Sequence, residues 1–382
     1  MDESLYDGRE QSLVKHLILK RYLLRFSLII GRKWDSITYV DGFSGPWNSQ
    51  SDGYADTSFA IALQQLRDAR EELATAGIDL KLRAFFIEEN PRAFAQLKEH
   101  VDNITDVEIE IRNGTLEASI GDICSFIQRA DGQTFPFVFI DPKGWTGFAL
   151  DVIQPLLAIH PSEVLINFMT QHIVRFIAND ESRESFERLF GQAEFAEDLQ
   201  NLKSEDRADA AVFKYREVVS TAGSFDCTGV AGIVNPLKDR SHFHLIYLSR
   251  HPKGLEVFKD AEKKSMADME TKRAEVEQAN REAAGQKELF GAKDAPESEY
   301  FRSLRDRYRR RAIEETVSVL ESTSKVSFDD IWQIWVSYPM VWESDLKDWV
   351  RQSEQVLVEG LVGKQRVPQR GKNHLLYLCD QE

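Results

Sequence analysis

Short apolar runs alternate with helical patterns over the first 250 residues of the chain. Leucines at positions 13, 17, 24 and 28 recur on one helix face, which predicts a helix over residues 12–31. The apolar runs that follow are Ile37–Val40, Leu82–Ile87, Val107–Ile111, Phe135–Ile140 and Val164–Met169. Such runs are typical of parallel strands buried on both faces, and their alternation with helices predicts a doubly wound α/β sheet.

A helical insertion and a hairpin extend this sheet. Residues 172–222 are charged and helical in pattern, and two β-rich runs follow, Cys227–Val234 and His242–Leu248. The turn residues between these runs predict an antiparallel hairpin. Five parallel strands with a terminal hairpin match the seven-stranded, Rossmann-like plan of class I methyltransferases. We therefore predict a methyltransferase-like domain over residues 1–260.

The pattern changes towards the C-terminal end. Residues 261–299 are rich in Lys, Glu, Ala and Gln and poor in large apolar side chains, which predicts a charged helical linker. From residue 300 to 382, three helical stretches are followed by two short strands, Val356–Leu361 and Leu375–Leu378. Three helices and a hairpin predict a winged helix-turn-helix domain.

The composition of the chain limits which ligands, metal sites and cellular compartments are expected for this protein. The 382 residues carry a net charge of −15, so binding to nucleic acid requires a local basic patch. The three cysteines are far apart in sequence, which argues against a zinc site and favours a reducing compartment. The chain begins without an apolar signal core, and no apolar run approaches the roughly 18 residues of a membrane span. We expect a cytoplasmic protein without a metal site.

Polar residues stand at the ends of four predicted strands. They are Asp41, Glu88, Asn113 with Thr115, and Asp141. In a doubly wound sheet these positions share one edge, where ligands bind, and an acid after the second strand is placed to bind a ribose hydroxyl. Each one also suits an ordinary helix N-cap. As a set they favour a ligand site.

The loop after the first strand is built from small residues. Asp41 is followed by Gly42, Phe43, Ser44 and Gly45, so the backbone can approach a ligand closely. The leading hypothesis is that this loop holds S-adenosylmethionine. An ordinary strand-to-helix turn is the alternative.

A second motif follows the fourth strand. Asp141, Pro142, Lys143 and Trp145 stand where amino-methyltransferases carry an Asp/Asn-Pro-Pro-aromatic motif that binds the target amine. Lys143-Gly144 replaces the second proline, and the aromatic residue comes one position late. The motif therefore predicts acceptor positioning without identifying the acceptor.

Further polar residues border the predicted crevice. Lys15 and His16 from the first helix, and Arg175 after the fifth strand, are predicted to form its rim. His242 and His244 alternate on one strand and share a face. We interpret them as structural or exposed histidines in preference to metal ligands.

The predicted winged helix carries local positive charge. The basic residues are Arg305 and Arg309 on its first helix and Lys364, Arg366, Arg370 and Lys372 in the wing. Such residues suit phosphate contacts. The candidate recognition helix contains acids at positions 343, 345 and 348, which disfavours reading bases, so nucleic acid and protein partners both stay open. Trp335 or Trp342 could be an exposed anchor.

Several stretches together resemble the bacterial three-Cys-motif partner protein (TcmP) family. The motifs are Tyr39-Val-Asp-Gly-Phe-Ser-Gly-Pro, Phe86-Ile-Glu, Phe139-Ile-Asp-Pro-Lys-Gly-Trp and Ser249-Arg-His-Pro-Lys-Gly-Leu-Glu-Val-Phe. The resemblance implies a methyltransferase-like protein that works beside a partner encoded nearby, whose cysteines give the family its name. Family members tend to have Gly at the position of Trp47, which could cover an adenine or block the pocket.

Two hypotheses follow. The first is an S-adenosylmethionine-dependent methyltransferase that acts with a partner protein, on nucleic acid or on another acceptor. The second is a non-catalytic adaptor with a degenerate methyltransferase fold that binds nucleic acid or a partner. Cofactor binding separates them.

Overall fold

The structure, a computed structural model, describes residues 6, 10–45, 49, 51, 53–176, 180–191, 195, 199, 201–235, 241–283 and 297–379. The chain forms two compact units. Unit 1 comprises residues 1–228 and 232–261, and unit 2 comprises residues 229–231 and 262–382. Trp47 lies outside the described residues, so the structure leaves the predictions about it open. Within the part of the chain that is described, no helix is long and apolar enough to cross a membrane.

Strands and helices alternate in unit 1, as the apolar runs predict. The strands are β1 Ser36–Asp41, β2 Lys81–Glu88, β3 Glu108–Asn113, β4 Thr134–Ile140, β5 Glu163–Phe168, β6 Cys227–Val234 and β7 Ser241–Ser249. The helices are α1 Glu10–Ile30, α2 Ser58–Thr75, α3 Pro91–Val101, α4 Leu116–Gln128, α5 Leu150–Leu157, α6 Thr170–Phe176, α7 Arg183–Phe190 and α8 Ser204–Gly223. Helix α9, Pro252–Ala283, follows β7.

The seven strands form one sheet in the order β3-β2-β1-β4-β5-β7-β6. Strands β1 to β5 pair in parallel, and β7 pairs antiparallel with β5. This confirms the predicted seven-stranded, Rossmann-like sheet with a reversed strand. Because the first five strands are parallel, their carboxyl ends meet at one edge of the sheet.

The core lies on both faces of this sheet. Every residue of β1 and β5 is buried, as expected for central parallel strands. On one face α1 packs its aromatic residues on β4, with the rings of Tyr22 and Phe26 centred 5.6 and 5.4 Å from that of Phe137. Burying each such side chain contributes about 1.5–3 kcal/mol, which fixes α1 on the sheet.

Unit 2 combines helices with a small three-stranded sheet. After the second half of α9 come α10 Glu299–Ser322, β8 Val326–Ser327, α11 Phe328–Ser337, α12 Glu343–Gln352, β9 Val356–Glu359 and β10 Leu375–Leu378. The three short strands pair in the order β8-β10-β9, and both pairings are antiparallel.

Two local predictions need correction. Helix α1 begins at Glu10, two residues before the start predicted for this helix. Helix α9 continues to Ala283, so the segment predicted as a charged helical linker is helical in its first part. Trp335 and Trp342 are 0% and 7% exposed, so neither is an exposed anchor. The Trp335 indole donates to Thr316 Oγ1 at 2.9 Å, which satisfies its N–H inside the unit.

Candidate functional site at the carboxyl edge of the sheet

The strand-end residues predicted as a set do share one edge. Asp41 pairs with Phe86 of β2 and Phe139 of β4, and Glu88 pairs with Asn113 of β3. Asp141 follows β4 directly. The pairing register therefore brings side chains from positions 41 to 141 together at the edge where α/β folds bind ligands.

Asp41 is completely buried and is held by the chain itself. The Phe43 N–H donates to Oδ1 at 3.0 Å, and the hydroxyls of Ser58 and Tyr39 donate to Oδ2 at 2.7 and 3.3 Å. Burial raises the pKa of Asp41 to about 6, while these hydrogen bonds oppose the rise. Asp41 therefore acts within the structure as the anchor of the loop that follows it.

The loop after Asp41 bridges neighbouring strands. The Gly42 N–H donates to Phe139 O at 3.0 Å, the Ser44 N–H donates to Ile87 O at 2.7 Å, and Ser44 Oγ donates to Asp41 O at 2.8 Å. A Cβ at Gly42 would lie 3.3 Å from a methyl group of Leu116, so glycine allows this close approach. Gly45 is half-buried and ends the described part of the loop.

Glu88 is 3% exposed at the end of β2. Its Oε1 accepts the Asn90 N–H at 2.6 Å, and its carbonyl accepts the Asn113 side-chain amide at 2.8 Å. Thr115 instead caps α4, since its hydroxyl accepts the Ala118 N–H at 3.2 Å. Glu88 is thus a buried carboxyl at the position where related folds bind a ribose.

The charge of Glu88 also acts on Lys143, in the loop after β4. Partial burial lowers the pKa of Lys143, and the charge of Glu88 opposes that shift. The ends of β2 and β4 are therefore electrostatically coupled, although 55 residues separate Glu88 from Lys143 in sequence.

Asp141 is the centre of a second polar group. Lys15 Nζ donates to its Oδ2 at 2.5 Å, and Asn167 Nδ2 donates to its Oδ1 at 2.6 Å. The side chains of Lys15 and Asp141 are only 10% and 14% exposed. The structure thus joins a predicted rim residue to a predicted acceptor residue in a nearly buried ion pair.

Asn167 belongs to this polar group, although the sequence patterns did not predict it as a site residue. Its residue type is the only signal, because it is a polar amide inside the apolar run of β5. It is 3% exposed, and among the described residues no group donates to its Oδ1. A buried acceptor without a donor is costly, so this oxygen is suited to receive a water or a ligand N–H.

Trp145 is half-buried and packs against other aromatic rings. Its ring lies 4.7 Å from that of Phe176 and 5.6 Å from that of Phe186, nearly parallel to the latter. The ring therefore belongs to an aromatic cluster with α6 and α7. Pro142 is buried, and a Cβ at Gly147 would lie 3.6 Å from Phe43 Cζ, so the loops after β1 and β4 approach each other.

The other predicted rim residues, and His244, contact other side chains of the protein. His16 is 5% exposed, with its Nδ1 2.9 Å from the Tyr6 hydroxyl. Arg175 is exposed and lies over the ring of Phe176. Burial lowers the pKa of His244 to about 4, and its Nδ1 lies 2.6 Å from Thr170 Oγ1. The described residues contain no cluster of His, Cys, Asp and Glu that could hold a metal ion.

The basic residues of unit 2 fall into two groups. Arg305 donates to Asp345 Oδ1 at 2.9 Å, and Arg309 lies 3.8 Å from the same oxygen. Arg370 lies over the ring of Trp332, 3.9 Å from its centre. Lys364, Arg366 and Lys372 are exposed between β9 and β10. The helix arginines are therefore engaged within the unit, whereas the predicted wing presents cations to solvent.

Comparison with known proteins gives structural matches alone. No family model and no curated protein matches this chain. A protein from Legionella pneumophila is 10% identical with a TM-score of 0.36, covering 64% of this chain and 86% of its own length. A loganic acid methyltransferase with S-adenosylhomocysteine is 8% identical with a TM-score of 0.30, covering 74% and 91%.

A candidate methyltransferase from Thermobifida fusca is 9% identical with a TM-score of 0.32. The match covers 61% of this chain and 81% of that protein. All three scores are below 0.5. The fold assignment therefore rests on the order and direction of the strands in this chain.

Proposed function

We propose that unit 1 is an S-adenosylmethionine-dependent methyltransferase whose cofactor lies along the carboxyl ends of β1 to β4. One observation carries the proposal: the buried carboxyl of Glu88 ends the second strand of a sheet whose seventh strand is reversed. An acid at this position hydrogen-bonds ribose hydroxyls in doubly wound folds.

The neighbouring residues suit the remaining parts of the cofactor. The small-residue loop Gly42–Gly45 offers backbone close to the amino-acid end, and Asn113 to Thr115 border the adenine side. Asp41 supports this arrangement indirectly, because its carboxyl fixes the Phe43 N–H and thereby the loop. The cofactor, when bound, supplies an electrophilic methyl group on a sulfonium.

The Lys15–Asp141–Asn167 group would position the methyl acceptor. Each carboxylate oxygen of Asp141 accepts one hydrogen bond from the chain and keeps a second lone pair, so it can accept another from an acceptor N–H or O–H. Asn167 Oδ1 adds a second acceptor at the same place. Alignment of the nucleophile with the methyl group is the main requirement of such a transfer.

Titration calorimetry with S-adenosylmethionine tests the proposal. We expect saturable binding that a Glu88→Gln variant weakens about fivefold or more, since a buried hydrogen-bond acceptor is lost. Glu89→Gln is the matched control, because Glu89 is the adjacent, exposed residue. Absence of binding at millimolar cofactor, in protein with a native thermal transition, contradicts the proposal. Equal affinity of both variants refutes the role of Glu88.

A non-catalytic adaptor is the second candidate, and specific contacts favour it. Asp41 and Asp141 are already bonded to groups of the chain, Trp145 packs away in an aromatic cluster, and Phe43 approaches Gly147 across the two loops. These contacts are expected of a protein that keeps the methyltransferase fold but no longer binds the cofactor. The calorimetric experiment decides between the candidates.

For unit 2 we propose a winged helix whose exposed Lys364, Arg366 and Lys372 contact nucleic-acid phosphates. The element order α10-β8-α11-α12-β9-β10 supports this proposal. One acid of α12 does not oppose it, because Asp345 is bonded within the unit to Arg305 and to the Trp342 N–H. Binding to duplex DNA that weakens with added salt is the expected result. Salt-independent capture of the three-Cys-motif partner would instead favour a protein interface, as the family resemblance implies.

A further inference from the structure

A cavity of about 450 Å³ opens at the other edge of the same sheet. It lies between the end of α1, the amino ends of β4 and β5, and the start of α9, all within unit 1. Cavities of this size take small organic ligands. The proposed methyltransferase site uses none of its residues.

The walls of the cavity are aromatic and aliphatic. The ring of Phe135 meets those of Phe26 and Trp34 edge-on, with centres 5.6 and 5.5 Å apart. Ile29 and Val257 complete the apolar lining. Rigid rings and branched side chains of this kind favour a flat apolar body, because they bury it without losing much conformational freedom.

The floor of the cavity carries the buried carboxyl of Glu163, which is 4% exposed. Tyr22 donates to Oε2, and Ser249 Oγ donates to Oε1 at 3.2 Å. Tyr247 extends the network, with its hydroxyl 2.8 Å from that of Tyr22. Burial raises the pKa of Glu163 to about 7, so this carboxyl carries only part of a negative charge at neutral pH.

The mouth of the cavity is cationic. Lys33, Arg250 and Lys253 line it together with His160 and His251, and Glu163 is the one carboxyl among its lining residues. Lys253 Nζ is paired with Glu256, which lies outside the lining. The guanidinium of Arg250 donates to carbonyls of Leu157, Ile159 and Gly223, so it is fixed in place. Lys33 is exposed. In a chain of net charge −15, this concentration of positive charge attracts anions.

We propose that this cavity binds an amphipathic organic anion, with a flat apolar body between Phe26, Trp34 and Phe135 and an anionic head near Lys33. A carboxylate, phosphate or sulfonate head shares the required chemistry. An organic cation fits less well, because the floor carboxyl is already bonded to Tyr22 and Ser249 and the mouth is positive.

The fluorescent probe 8-anilinonaphthalene-1-sulfonate tests this proposal, because it combines flat rings with a sulfonate. We expect saturable binding at one site per chain, with affinity reduced about tenfold by Lys33→Glu. Arg32→Glu is the matched control, since Arg32 is adjacent, exposed and outside the cavity lining. An equal reduction in both variants overturns the assignment of the head group.

Two further measurements address the apolar body and the sign of the charge. Ile29→Trp adds volume to the cavity wall and should abolish saturable binding in protein whose near-ultraviolet circular dichroism shows native packing. Unchanged binding by that folded variant overturns the cavity as the site. Tighter binding of 1-naphthylmethylammonium than of the anionic probe overturns the proposed ligand class.

Discussion

Two carboxyl groups at opposite edges of the sheet, Asp141 and Glu163, are held by different kinds of partner. At the carboxyl edge, Asp141 is paired with the ammonium group of Lys15, so opposite charges are brought together away from water. At the amino edge, the groups that donate to Glu163 in the described part of the chain are hydroxyls, and burial raises its pKa to about 7. The difference is one of partner chemistry: Asp141 has a cation beside it, whereas the hydroxyls around Glu163 oppose the effect of burial without supplying a counter-charge.

Removing the cation at the carboxyl edge should have the largest effect. Lys15→Met leaves the nearly buried Asp141 without its counterion, which we expect to lower the free energy of unfolding by about 3–5 kcal/mol. Chemical denaturation measures this loss. Lys20→Met, five residues further along α1, should change it by no more than about 0.5 kcal/mol. If Lys15→Met is equally harmless, the ion pair does not stabilise this edge.

The pH dependence of stability tests the raised pKa of Glu163 at the amino edge. An unfolded Glu titrates near its ordinary pKa, whereas folded Glu163 titrates at about 7, so ionisation favours unfolding as pH rises between these values. The stability of the wild-type protein relative to Glu163→Gln should therefore be highest in acid and fall by about 3 kcal/mol up to neutral pH. Calorimetric unfolding of both proteins across this range is the measurement. A difference that stays constant with pH contradicts the raised pKa.

A pair of glycines compares how tightly the two edges are packed. A Cβ at Gly254 would contact Tyr247, Glu163 and Ser249, the last at 2.9 Å, whereas a Cβ at Gly144 would have nothing within 4 Å. We expect Gly254→Val to lose about 2 kcal/mol of stability through overpacking, and Gly144→Val to lose little. Thermal unfolding of the two variants checks this. Similar losses at both positions would show that backbone propensity dominates over packing.

Local sequence determined the elements and their order. The runs Phe135–Ile140 and Val164–Met169 correspond to β4 and β5 within one residue at each end, because an apolar stretch between turn residues has few alternatives to a buried strand. The same local rules put acids at the ends of β1, β2 and β4. Parallel pairing then brings Asp41, Glu88 and Asp141 to one edge, as predicted.

Tertiary structure decided what those residues contact. No pattern in the sequence connects Lys15 with Asp141, or Tyr22 with Glu163, since 126 and 141 residues separate the members of these pairs. The loop after β1 shows the same division. Its glycines and acid were recognisable locally, yet only the fold revealed that Ser58 and Tyr39 satisfy Asp41.

The physical reason is the range of the interactions. Periodicity and turn composition reflect forces between neighbours in the chain, so they are readable from sequence. Burial, ion pairing and cavity shape depend on which side chains, distant in sequence, come into contact. The packing of helices on the sheet determines these contacts. The sequence by itself therefore determined a seven-stranded α/β sheet with acids at one edge, and the packing of α1 and α9 decided that the opposite edge holds a cavity.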